Sequence, residues 1–305
     1  MKKILVSGLL NTETTVKVKK FPIEYYPIDY PFFGIETRVS GVGYNISKAL
    51  CTLGDEMRLV SMLGKDFAAE TIKNELRHLN ISTEFLNEKL TATPTSVVLY
   101  DENGKRQIYC DLKDIQEQHL DYTAEMLQDC DCVVACNINF NRKLLTEAKQ
   151  KGITIATDVH VLNDIDDDYN RDFMQYADIL FLSDEALPCA AEKFLKRLSE
   201  KYHNRIIVLG QGAKGAMLYE RETDCLYQLS AVHNDKVVNT VGAGDALFSA
   251  FLHFYHKGLT ALESLKRAEI FASIKIGYDG AAEGFANEKT IETQYEQTEI
   301  LTTKL

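Results

Sequence analysis

A chain of 305 residues can bury a large core as one domain, or as one domain with a small appendage. Its 34 lysines and arginines face 45 aspartates and glutamates, a formal charge of −11 that argues against a nucleic-acid or anionic-membrane surface; no apolar run reaches the length of a bilayer span. At 45% hydrophobic and 26% charged, with 5 prolines and 17 glycines, the composition is that of an ordinary globular protein.

The N-terminus, Met1 to Gly8, carries too short an apolar run for a secretory signal and reads as a first strand over Ile4–Ser7. Residues 14–39 are rich in Thr, Val, Tyr and Phe, hold Pro22, Pro27 and Pro31, and show no helical period. Gly41-Val42-Gly43 then opens a helix in which Ile46, Ala49, Leu50 and Leu53 recur at three- and four-residue steps, ended by Gly54. A strand is expected at Arg58–Leu63 and a helix at Phe67–Leu79. Ser96–Tyr100 and Arg106–Cys110 flank Asp101-Glu102-Asn103-Gly104, a hairpin with an Asn-Gly turn.

From residue 122 helices and strands alternate. Helices at 122–128, 141–151, 170–176 and 189–201 each precede a strand, at 132–136, 153–157, 178–182 and 205–209. Such alternation with near-continuous apolar strands predicts a parallel sheet covered on both faces. The β-rich pieces 14–39 and 91–111 fit poorly in that sheet and are expected to pair as a small sheet standing off it.

The seven cysteines, at 51, 110, 130, 132, 136, 189 and 225, are an odd set without disulfide-framework spacing, so reduced thiols in a cytoplasmic protein are expected. Cys130, Cys132 and Cys136 lie at the entry to an apolar strand and read as packing thiols rather than metal ligands. Asp164 to Asp168 fails the EF-hand pattern, with Tyr169 where Gly is needed, and reads as a solvated loop. His253 and His256 have no third ligand nearby and read as helix-surface residues.

The stretch Val237 to Ala246 carries the chemistry. A short β-branched run stops at Gly242-Ala243-Gly244, followed by Asp245 and an apolar segment to Tyr255, which reads as strand, tight turn and helix. Glycines allow close approach of a ligand to the backbone, and the first helical turn offers unpaired N–H groups to an anion such as phosphate. Asp245 would stand in that turn, an anion cradle beside a proton-accepting carboxylate, as phosphoryl transfer to a hydroxyl requires. An ordinary glycine turn with Asp245 as helix cap explains the same spacing.

Asn239-Thr240-Val241-Gly242-Ala243-Gly244-Asp245 resembles the D-T-x-G-A-G-D signature of the ribokinase-like (PfkB-type) carbohydrate kinases, with Asn in place of the leading Asp. Ser40-Gly41-Val42-Gly43-Tyr44-Asn45, running to Leu53-Gly54, resembles that family's N-terminal G-G-x-x-N-x-A element. The resemblance extends from the first strand to about residue 286, and the tail from Asn287 adds nothing to it.

This resemblance implies a three-layer α/β sandwich with a mostly parallel central sheet. The core would be 1–13, 40–90 and 112–305, with a small β lid from 14–39 and 91–111. It implies an ATP-dependent kinase with magnesium and a small sugar or sugar-like acceptor. Asp245 would be the general base, and the N–H groups of Gly242, Ala243 and Gly244 would stabilise the developing charge. Gly41, Gly43 and Asn45 would hold substrate hydroxyls, with Asn11 and Glu13 beyond the first strand; Glu13 stands where the family often has Asp.

Gly210-Gln211-Gly212-Ala213-Lys214-Gly215 matches G-x-G-x-x-G after a strand, but a strand-like run follows where a dinucleotide fold needs a helix. In the family a similar turn lies beside ATP, so Gly210, Gly212, Lys214 and Thr240 are nucleotide-side candidates. A G-x-x-x-x-G-K-[ST] loop is absent from the sequence. The family's magnesium-linked N-x-x-E element is replaced by Ser183-Asp184-Glu185-Ala186, leaving Asp184 or Glu185 to act through water.

The Asp missing at 239 belongs in relatives to a monovalent-cation site, so potassium activation is not expected. Gly280-Ala281-Ala282 and the helix 261–278 resemble the adenine-side wall, with Glu269 where relatives often have Asn. Lid strands pair between subunits in the family, which points to a homodimer. Two rival readings remain. One is a nucleoside kinase of the same fold, in which Tyr25, Tyr26, Phe32, Phe33 and Tyr44 stack on a base. The other is a non-catalytic sugar or nucleotide sensor.

Overall fold

The computed structural model describes residues 3–102 and 105–305. The expected Asn103-Gly104 turn lies outside the described residues. The chain runs β1 (Lys3–Ser7), β2 (Asn11–Lys17), β3 (Ile35–Ser40), α1 (Val42–Leu53), β4 (Glu56–Met62), α2 (Phe67–His78), β5 (Phe85–Asn87), β6 (Thr95–Tyr100) and β7 (Arg106–Asp111). It continues α3 (Ala124–Leu127), β8 (Cys130–Ala135), α4 (Arg142–Gln150), β9 (Thr154–Val161), α5 (Arg171–Tyr176), β10 (Ile179–Ser183), α6 (Ala191–Tyr202) and β11 (Ile206–Gly210). The last elements are β12 (Ala216–Glu220), β13 (Cys225–Leu229), α7 (Ala243–His256), α8 (Ala261–Lys275), α9 (Glu288–Tyr295) and β14 (Thr302–Lys304).

A ten-stranded sheet has the order β14-β13-β12-β11-β10-β9-β8-β1-β4-β5. From β11 to β5 all neighbours are parallel, and β12, β13 and β14 extend that edge antiparallel. The strands are apolar on both sides because both sides are covered. Ile4 and Val6 of β1 face a core built with α1, α2, α7 and α8, whereas Leu5 faces one built with α3, α4, α5 and α6. This is the expected three-layer arrangement.

A second, four-stranded sheet has the order β3-β2-β6-β7. It reaches back to Asn11, so Asn11 and Glu13 stand on β2 of the small sheet rather than at the end of the first strand. The cause is local. Gly8 lies so close to Cys136 and Gly43 that a Cβ there would meet Cys136 Sγ at 2.4 Å, and this tight crossing carries the chain off the large sheet.

Side chains cap α2, α3, α8 and α9: Asp66 accepts from Ala69 N at 2.9 Å, and Thr123, Thr260 and Asn287 do the same for the other three, whereas α1 and α7 start at glycines without a side-chain cap. Two expectations are corrected, for Val237–Thr240 and for His253. Val237–Thr240 is an extended loop, not a strand, because its backbone groups bond to the end of α8 instead of to a ladder. The tail, of which no structure was expected or excluded, holds α9 and β14, with Ile291 fully buried and Thr302–Lys304 paired to β13. His253 is buried, its Nδ1 2.8 Å from Asp55 Oδ2, so it is not a surface residue. Among the described residues no helix is long and apolar enough to cross a membrane.

Candidate active site

Parallel strands put their carboxyl ends on one edge, and in open α/β sheets ligands bind there. The ends of β9, β10 and β11 meet the N-terminus of α7 on that edge. Gly242 caps α7 with φ 79°, and a Cβ there would lie 2.0 Å from Ala281 O, so only glycine fits. The Ala243 N–H is already given to Thr240 O at 3.2 Å. The N–H groups of Gly242, Gly244 and Asp245 meet no acceptor among the described residues. They are the donors that a helix start leaves for an anion.

Asp245 sits in that first turn, buried, and its Oδ2 accepts from Asn45 Nδ2 at 2.7 Å. Thus α1 and α7, 200 residues apart in sequence, meet at one carboxylate. Burial raises the Asp245 carboxyl to about 6, while the charge of His160 and the hydrogen bond from Asn45 pull it down. A base titrating near that value is ionised at neutral pH and still able to take a proton.

Asp158 and His160 stand beside it. A Cβ on Gly244 would lie 4.0 Å from Asp158 Oδ2. His160 adopts φ 58°, a left-handed conformation rare for a non-glycine residue, and this lets its N–H donate to Asp158 Oδ1 at 2.8 Å. Burial resists ionisation of Asp158, but His160 outweighs it and holds the carboxyl below its usual range. Burial would lower the imidazole of His160; the Asp158 carboxylate prevails and lifts it to about 9.

Two cavities flank the N-terminal turn, and Thr240 lines both. One, of about 440 Å³, is lined by Asp158, Asp184, Glu185, Gly210, Gly212 and Gly244, with Glu269 in its wall. Lys214 is exposed and is not among the residues that line it. The other, of about 510 Å³, is lined by Glu13, Tyr100, Asn239 and the turn 279–281. Burial raises the Glu13 carboxyl against hydrogen bonds from Ser40 and Ser96. Arg106, from β7 of the small sheet, reaches both cavities.

Asn11 and Asn45 are buried, and each has one amide oxygen without a hydrogen-bond partner among the described residues. Their Nδ2 groups are held by Ser96 and Asp245. Buried polar atoms are normally satisfied, so each of these acceptors can take a hydroxyl donor of a ligand, although Asn11, Asn45 and Asp245 are not among the residues that line either cavity. Gly41 and Gly43 are not in either cavity wall. They pack on Gly8 and Leu9, where a Cβ on Gly43 would lie 2.8 Å from Gly8 C. Tyr44 is buried with its hydroxyl donating to Glu75 at 2.8 Å, so it cannot stack on a ligand base.

Sequence reasoning missed Asp158, His160, Arg106 and Lys275. Asp158 was within reach, because it follows an expected strand at its carboxyl end. The other three become visible only when elements far apart in sequence meet. Asn239, the departure from the family signature, is now accounted for: its Oδ1 accepts from Val241 N at 2.9 Å and its Nδ2 donates to Asp279 at 3.1 Å.

Residues 1–288 match the model for pfkB family carbohydrate kinases. Over 271 residues the chain is 26% identical to an acarbose 7(IV)-phosphotransferase of Actinoplanes sp., covering 87% of this chain and 88% of that protein. The microbiome-derived acarbose kinase Mak1 superposes with a TM-score of 0.87 at 22% identity, covering 97% and 99% of the two chains. Arabidopsis thaliana ribokinase, solved with ribose and ATP, superposes with a TM-score of 0.81 at 19% identity, covering 97% and 99%. At these identities the superpositions establish a shared fold.

Proposed function

From its membership of the pfkB family of carbohydrate kinases, we propose that the chain transfers the γ-phosphate of ATP to a hydroxyl of a small sugar or sugar-like substrate. The observation that carries this is the buried Asp245, bonded to Asn45 and set in a helix turn whose Gly242 and Gly244 N–H groups are unengaged. The acceptor hydroxyl gives its proton to Asp245 as its oxygen bonds to the γ-phosphorus, and the bond to the β-phosphate oxygen breaks to release ADP. The N–H groups of Gly242 and Gly244 stabilise charge on the transferring group, each such donor contributing on the order of 3 kcal/mol.

The nucleotide occupies the cavity of Gly210, Gly212 and Gly244, and the acceptor lies toward Asn11, Glu13 and Asn45. Magnesium fits this site. Among the described residues no three metal-binding side chains cluster, but Asp158, Asp184 and Glu185 share the nucleotide cavity. That donor set suits an ion held chiefly by phosphates and water, with one or two carboxylates behind it. When bound, the ion would neutralise phosphate charge. The small sheet would act as a lid that limits competing attack by water.

The test is ATP consumption over a panel of monosaccharides, oligosaccharides including acarbose, and nucleosides. Acarbose enters because two similar proteins carry its name. Turnover with a sugar supports the reading. Turnover with nucleosides alone selects a nucleoside kinase, served by the exposed Tyr25, Tyr26, Phe32 and Phe33. No turnover with any acceptor, accompanied by ligand-induced rises in Tm, selects a sensor.

The same exposed aromatic residues support pairing of two copies through the small sheets. Sedimentation would show a dimer, and Phe32→Ser with Phe33→Ser would leave a monomer. A wild-type monomer rules the pairing out.

A further inference from the structure

Lys275 ends α8 with its side chain 0% exposed, yet it lies within ion-pair distance of no carboxylate among the described residues. Lysines are almost never buried unless paired, and their long stems usually carry the charge to water. Here the ammonium donates instead to two backbone carbonyls, Asn239 O at 3.3 Å and Val241 O at short range. Both belong to the loop that leads into the N-terminal turn of α7.

The rest of that loop is fastened to the same place. The N–H groups of Val238 and Asn239 donate to Ile276 O at 2.8 and 3.2 Å. The Val241 N–H is taken by its neighbour's side chain, Asn239 Oδ1, and Asn239 Nδ2 reaches Asp279. With these groups engaged within the loop, at the end of α8 and at residue 279, the N–H groups of Gly242 and Gly244 are left without an acceptor among the described residues. The end of a helix also favours a cation, since its carbonyl dipoles point there.

We propose that Lys275 is a positioning residue for phosphoryl transfer, a cation built into the wall that clamps the carbonyls of Asn239 and Val241 and so holds the N–H groups of Gly242 and Gly244 toward the phosphate. This rests on the kinase reading above. Carbonyl oxygens gathered around one positive charge are also the ligands that select monovalent cations. The protein therefore carries its own monovalent charge at this point and needs none from solution.

The first measurement uses the wild-type enzyme, assayed in sodium buffer and again with potassium or ammonium added. Equal rates are expected, and a requirement for either ion overturns the proposal. In Lys275→Met, kcat falls on the order of 10- to 100-fold with KM for the acceptor nearly unchanged. In Lys275→Ala, potassium, ammonium or methylammonium restores part of the lost rate.

An undiminished kcat in Lys275→Met overturns the proposal. So does a loss in Lys275→Ala that no cation restores while Tm matches wild type. If neither variant folds, the wild-type salt comparison decides. If the wild type turns over no acceptor, the kinase reading fails on its own account. Lys275 is then judged by ADP affinity in calorimetry, where Lys275→Met binding weaker by about tenfold is expected, and unchanged affinity refutes the clamp.

Discussion

Asp245 shows how burial makes chemistry at a single side chain. A carboxylate in water titrates near 4, but in the fold this one rises to about 6 because desolvation outweighs the help of His160 and Asn45. The proposed base works only when ionised, so kcat/KM should climb with pH through a limb near 6 and then level off. Asp245→Asn should lower kcat on the order of 10²- to 10⁴-fold while calorimetry finds ATP affinity largely kept. Near-wild-type turnover would remove Asp245 from that role. Glu269 makes the opposite point. Burial alone raises it to about 8 from the ordinary 4.5. An acid with a raised folded pKa favours folding when neutral, so this contribution is complete below pH 4.5 and is lost as pH rises toward 8. Glu269→Gln should therefore have the higher Tm at pH 8, and the difference should vanish in acid. A wild-type Tm that does not fall relative to the variant would refute the linkage.

Each element at the site is set by a contact outside itself. The N-terminus of α7 depends on Gly242, whose φ of 79° and 2.0 Å Cβ clearance to Ala281 O exclude any side chain. Gly244 has ordinary backbone and a Cβ clearance of 4.0 Å. Gly242→Ala should thus lose turnover and lower Tm, whereas Gly244→Ala should keep Tm within about 2 °C of wild type. Equal thermal scans for the two would refute the distinction. The start of α1 obeys the same logic. Gly43 is needed for its approach to Gly8, and that approach sets the start of the helix whose Asn45 lies 2.7 Å from Asp245.

On the scale of the whole molecule, the two sheets share the site. Arg38 of β3 lies 3.6 Å from Asp279, and Lys48 of α1 bonds Glu283 at 2.9 Å, so the turn 279–283 is tied to both the small sheet and the core. Arg106 brings a positive charge from β7 to both cavities without being buried itself. Arg106→Ala should raise KM for ATP or acceptor by about tenfold, the loss of a charge-assisted hydrogen bond. Tm should hold, because an exposed side chain carries little stability. Unchanged KM values would show that the small sheet does not reach the substrates.

The alternation of apolar strands with helices after residue 122, and the two glycine segments at 41–45 and 239–245, were enough to read the layered fold and the family from the amino-acid order. Local signals suffice there, because strand burial, helix period and glycine turns are written in neighbouring residues. Tertiary structure decided the rest. It moved Asn11 and Glu13 to the small sheet, buried Tyr44 and His253, and gave the tail a helix and an edge strand. It set Asp158 and His160 beside Asp245, and it buried Lys275 against the backbone carbonyls of Asn239, 36 residues earlier in the chain, and Val241. Whether a lysine is a solvated surface charge or a cation inside a wall depends on which backbone oxygens the folded chain brings to it, and no local pattern records that.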